Sequence, residues 1–266
     1  MKTELHGFSI FAALVAVLAI ITGAVVTSLE RPIAANAANS INPAFEFWHH
    51  IAGGVAVVLM LGLAIALRSQ FAWIGLAAGI VDAGLGFTGQ AFASILHALI
   101  AQVFFGCIVA ATVTTSARWK RGPVPIEDSW RPSLRSLAIA VPAIILLQTT
   151  LGASYRYRAL GVLWHILNAM IVLLLILCVA VFLIRQFPEH PTLKPAAVAL
   201  AVITSIQVML GFTTFMMLIL FPETSLAVVI TSVLHVTTGA LTFGAALTLS
   251  ILIRYNIRVP GAAALV

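Results

Sequence analysis

Glu46 and His49 stand three residues apart at the head of an apolar run, in Asn42-Pro-Ala-Phe-Glu-Phe-Trp-His-His-Ile-Ala-Gly-Gly54. Both residue types move protons, and imidazole also ligates metals. At about 3.6 residues per turn the two share one face of a helix that Asn42 can cap and Pro43 can open. Ionisable groups so close to a bilayer are costly, which marks the cluster as a functional site. Three further histidines, His97, His165 and His235, echo His49. His6, His50 and His190 fall near polar ends and read as solvated or interfacial.

The elements that must position these side chains are membrane helices. The chain has 266 residues, 62% hydrophobic and 8% charged, against about 25% charged in soluble domains. The formal charge of +6 lies between apolar runs, not along one polar face, so it argues against a nucleic-acid partner. Cys107 and Cys178 both fall inside apolar runs, which excludes a disulfide framework and a zinc spacing. Eight runs are long enough to span, near 8–28, 45–67, 71–90, 93–117, 134–153, 161–184, 195–220 and 226–254. The fold expected is all-α and polytopic, with eight transmembrane helices as two pseudo-symmetric four-helix bundles. Residues 1–119 form the first half, 120–133 a cytoplasmic linker and 134–266 the second half. The first run has no good cleavage site in Val25-Val-Thr-Ser-Leu-Glu30 and is kept as a mature helix.

With the N-terminus inside, the inner side holds Lys2, Arg68, Arg118, Lys120, Arg121, Arg131, Arg135, Arg185, Lys194, Arg254 and Arg258. The outer side holds Arg31, Arg156 and Arg158, and this imbalance predicts that both termini are cytoplasmic. His49, His97, His165 and His235 then all lie in the outer half of the membrane, one on each even-numbered run.

The two halves repeat each other. Trp48-His49 matches Trp164-His165, and Ser94-Ile-Leu-His97 matches Ser232-Val-Leu-His235. Gln148-Thr-Thr-Leu-Gly152 matches Gln207-Val-Met-Leu-Gly211, with Asp82-Ala-Gly-Leu-Gly86 as a variant and Gly23 as a remnant. Gly53, Ala101, Ala169 and Gly239 each follow a histidine by one turn. Two imidazoles on neighbouring helices at similar depth are what six-coordinate heme iron needs, and small residues beside them leave room for a flat macrocycle. Arg156 and Arg158, in the outer loop before His165, suit either heme propionates or lipid headgroups. Asp82 reads as a proton-conducting acid or as a protonated interhelical hydrogen-bond donor.

On Glu46-Phe-Trp-His49, the Gln-x-x-Leu-Gly segments ending at Gly152 and Gly211, and one histidine per even run, the chain resembles heme A synthase over nearly its whole length. The resemblance implies that His49 and His97 flank a substrate heme O, and that His165 and His235 hold a heme b cofactor. It implies a catalytic role for Glu46 in oxidising a ring methyl to a formyl group for cytochrome oxidase assembly. The partners it points to are heme O, a heme O synthase, an electron acceptor and membrane lipid. Two departures stand out: His50 replaces the arginine common after the first histidine, and residues 29–44 lack the cysteine pair of many members.

The competing classes are a non-catalytic bis-His membrane cytochrome and a heme-binding assembly or trafficking factor. A transmembrane carrier needs hemes near both faces and has no use for Glu46, whereas these four histidines share one face.

Overall fold

The computed structural model describes residues 2–33, 43–88, 90–129, 131–223 and 225–257. Its helices are α1 (Lys2–Ile33), α2 (Pro43–Leu67), α3 (Gln70–Gly86), α4 (Ala91–Thr115), α5 (Ala117–Lys120), α6 (Leu134–Arg156), α7 (Val162–Gln186), α8 (Leu193–Leu220) and α9 (Leu226–Asn256). The eight apolar runs become α1–α4 and α6–α9, and the single-turn α5 is an addition. The expected cap at Asn42, Arg258 and residues 34–42 of the first outer loop lie outside the described residues.

Seven helices are long and apolar enough to cross a membrane. The exception is α3, whose 17 residues reach about 25 Å at 1.5 Å each. The sequence carried this helix to residue 90, but Gly84 and Gly86 weaken its last turn. The Phe87 amide closes on the Gly84 carbonyl, and Gln90 turns extended to open α4. Likewise α4 stops at Thr115, because Ser116 is extended and its Oγ accepts the Trp119 amide at 3.2 Å to cap α5.

The helices turn apolar side chains outward. Only 17% of the most apolar window of α8 is buried within the protein, and Phe11, Trp48, Leu174 and Phe212 are exposed. A helix in water shows its polar face to solvent; an apolar exterior on seven long helices is the make-up of a multi-pass membrane protein.

Helix α1 packs on α2 and α4, and α3 lies against both α2 and α4. In the same manner α6 packs on α7 and α9, and α8 on α7 and α9. The diagonal pairs α2–α4 and α7–α9 hardly touch along their backbones. The two sets meet where α1 and α4 lie on α9 and α4 on α6. At this seam the packing is reciprocal. A Cβ on Gly106 of α4 would stand 3.0 Å from the Phe243 ring, and one on Gly244 of α9 would stand 3.1 Å from the Phe105 ring. Small residues that admit a neighbour's bulk are how helices associate where lipid removes the hydrophobic drive.

The segment joining the halves is docked on the second one. Trp119 stacks on Tyr255 at 3.8 Å between ring centres, and the Tyr255 hydroxyl donates to the Trp119 carbonyl at 2.8 Å. The Ile126 amide donates to the Asn256 carbonyl at 2.8 Å and the Val124 amide to Asn256 Oδ1 at 2.7 Å. His190, expected to be solvated, is instead buried. Its Nδ1 accepts the Leu193 amide at 3.1 Å at the start of α8, and its Nε2 lies 3.1 Å from the Val124 carbonyl. The orphan amides of a helix start are the reason it is drawn in.

Candidate functional site

His49 and His97 meet across the diagonal of the first set, with ring centres 5.9 Å apart and planes at 87°. His165 and His235 repeat this in the second set at 6.2 Å and 83°. Three of these side chains lie in the first two turns of α2, α4 and α7, and His235 lies in the third turn of α9. All four rings are half-buried.

A glycine of the preceding helix seats each ring. Built Cβ atoms would stand 2.8 Å from the His49 ring at Gly23, 2.9 Å from His165 at Gly152 and 2.9 Å from His235 at Gly211. Those approaches admit no side chain. Gly86 is looser, with a built Cβ 3.6 Å from His97, ordinary van der Waals contact. Ala19, Asp82, Gln148 and Gln207 lie one turn before these glycines and face the rings' Nδ1 side. His49 Nδ1 lies 3.0 Å from the Ala19 carbonyl and 3.4 Å from Thr22 Oγ1. His97 Nδ1 lies 3.0 Å from the Asp82 carbonyl and 2.9 Å from Asp82 Oδ1. Gln148 Nε2 lies 3.0 Å from His165 Nδ1 and 3.2 Å from its Nε2, and donates to the His165 carbonyl at 3.0 Å. Asn168 Nδ2 donates to Gln148 Oε1 at 2.8 Å, fixing that amide. His235 Nδ1 and Gln207 Oε1 are both buried with no hydrogen-bond partner.

Glu46 is exposed in the first turn of α2, one turn before His49, and makes no hydrogen bond among the described residues. Arg156 ends α6, donates to Ser28 Oγ of α1, and lies close enough to His235 for their charges to interact. Arg158 is exposed and in the left-handed region at φ 58°, so only Arg156 is brought to the second pair. His50 is exposed and stacks on Phe87 at 4.9 Å. Gly53 opens on empty space, whereas Gly239 is met by the Gln207 amide at 3.1 Å from a built Cβ. The small residue after His235 therefore makes way for Gln207. Cys107 and Cys178 are free thiols.

Asp82, read in register with Gln148 and Gln207, stands against His97 of the next helix, with Oδ1 2.9 Å from Nδ1. Asn168, three residues after His165 on α7, was missed, and no sequence pattern signalled it.

The donor set decides what these pairs can hold. Two imidazoles under-ligate a bare zinc or copper ion, and no group of three His, Cys, Asp or Glu gathers among the described residues. A macrocycle that brings its own equatorial nitrogens needs two axial imidazoles and nothing more. A metal–nitrogen distance of about 2 Å on each side, plus the depth of each ring from nitrogen to centre, spans a separation of this size. In the first pair the Nδ1 contacts on the helix side leave Nε2 for a metal, as a histidine ligand requires, whereas the Gln148 amide lies within reach of both ring nitrogens of His165. No protein-family model and no curated protein matches the chain.

Proposed function

We propose that the chain is a membrane heme A synthase, with heme O as substrate at His49 and His97 and heme b as cofactor at His165 and His235. The chain spans the membrane eight times as two pseudo-symmetric four-helix bundles. Both termini are cytoplasmic, and the histidine pairs lie toward the outer face. The observation that carries this reading is the twofold recurrence of a perpendicular histidine pair, each ring seated on a glycine of the preceding helix.

When bound, heme b supplies a bis-imidazole iron that exchanges single electrons. The protein's part is to hold and to move protons. Gln148, itself held by Asn168, orients His165, and Arg156 would offer a cation to a heme propionate near His235. Glu46 stands one turn before His49 with its carboxylate unengaged. Oxidation of a methyl to a formyl group, with water supplying the oxygen and an external acceptor taking the electrons, releases protons, and Glu46 would be the base placed to accept them.

The test is mass spectrometry of hemes extracted from cells supplied with heme O, with and without this chain. Absence of heme A in cells making the wild-type chain would overturn the enzyme. Glu46→Gln is expected to keep fold and second-half heme while heme A yield falls, by the roughly 10²–10⁴-fold that a positioned base contributes. Wild-type yield from that variant would remove the carboxylate from the chemistry.

A further inference from the structure

We propose that Asp82 is a positioning residue for His97, holding its Nδ1 proton and making the first-half iron the more electron-rich of the two. The inference rests on the heme reading above and adds to it a difference between the sites. Ala19, Asp82, Gln148 and Gln207 occupy equivalent places, each four residues before the glycine that backs a histidine. Among these four only Asp82 has an ionisable side chain. One residue gives His97 Nδ1 both of its contacts, the backbone carbonyl at 3.0 Å and Oδ1 at 2.9 Å. The pair is shielded, with side chains 25% and 16% exposed for His97 and Asp82.

The looser glycine belongs to the same design. Gly23, Gly152 and Gly211 stand in close contact with their rings, whereas Gly86 leaves space around His97. Orientation of His97 therefore falls to Asp82, through its backbone carbonyl and its carboxylate. A carboxylate on the far nitrogen raises the basicity of the ligating one, which favours ferric over ferrous iron. His235 has no carboxylate beside it; the residue in the place of Asp82 is Gln207, whose Oε1 makes no hydrogen bond. An iron held there would be the easier of the two to reduce.

The experiment adds hemin to the detergent-purified full chain and follows midpoint potentials by optical spectroelectrochemistry, with low-spin electron paramagnetic resonance alongside. The second-half signal is assigned as the one lost in His165→Ala. Wild type is expected to show two low-spin hemes, the first-half one at the lower potential. Asp82→Asn should move that potential positive and change its resonance signal, Asp82→Glu should return both part-way, and the second-half heme should not move. Gln207→Glu, which sets a carboxylate beside His235, should move the second-half potential negative. It decides the matter if Asp82→Asn does not fold. Two bound hemes whose potentials ignore Asp82→Asn, or a second-half potential that ignores Gln207→Glu, would overturn the role of Asp82 while leaving the heme sites standing. Failure of the wild type to bind hemin at all would instead overturn the heme reading.

Discussion

The two histidine pairs share one geometry and differ in what holds it. In the first, His49 leans on a backbone carbonyl and His97 on a carboxylate. In the second, His165 is held by Gln148, itself fixed by Asn168, and His235 is backed closely by Gly211 with no side-chain hydrogen bond. Equal spacing with unequal support teaches that the repeat conserves where the rings stand, and leaves the helix turn before each glycine free to set their electronic character. A site for a resident group and a site for a passing substrate can thus be cut from one template.

The largest effect should come from removing a ring. His165→Ala or His235→Ala is expected to abolish the low-spin absorption of the heme b proposed to purify with the protein, and His49→Ala to leave it intact. The loss should exceed the roughly 10–100-fold that outer partners of metal ligands are worth. Equal loss from all three variants would erase the distinction between the pairs.

Next come the glycines. Gly152→Ala and Gly211→Ala force a methyl to within 2.9 Å of a ring, an overpacking of about 1–3 kcal/mol. Gly86→Ala adds its methyl at an ordinary 3.6 Å. Thermal unfolding in detergent should rank the first two well below the third, and a reversed order would show that the rings do not depend on their backing.

Gln148→Ala tests the amide. It frees His165 and leaves Asn168 Nδ2 only its longer bond, to the Ile144 carbonyl at 3.4 Å. About a tenfold weaker retention of heme is expected, measured by transfer to apomyoglobin. Gln207→Ala should do less, since the Gln207 side-chain oxygen makes no hydrogen bond. The smallest effect concerns the arginines. Arg156→Ala should loosen second-half heme by removing a half-buried cation and its tie to Ser28. Arg158→Ala, at an exposed loop position, should not change retention beyond the scatter of the same assay.

Much of this was written in local pattern. Apolar runs located the helices, and the spacing of Trp-His, Ser-x-x-His and the recurring glycines paired the four rings, because each mark depends only on residues within a turn or two. What escaped depended on neighbours from elsewhere. The early end of α3 follows from two glycines and a competing extended residue at Gln90, and apolarity alone does not register such a stop. His190 is buried because the start of α8 and the Val124 carbonyl both reach it, across 66 residues in one case. Asp82 could be placed at its depth, but not against His97, since its own helix says nothing about which neighbour it meets. Arg158 was grouped with Arg156 by adjacency, and a left-handed residue at the turn separated them.

The reciprocal seam of Phe105 on Gly244 and Phe243 on Gly106 has a consequence for how the molecule is made. Both α9 glycine and α9 phenylalanine belong to the helix that leaves the ribosome last among those described, and so does His235. Until α9 is inserted, α4 shows lipid an unfilled notch at Gly106 and a ring with nowhere to rest, and His165 has no partner. The pair on α2 and α4 needs no such wait. Synthesis therefore completes the two sites in sequence, the first while the chain is still being translated and the second only when the same helix that closes it also locks the halves together.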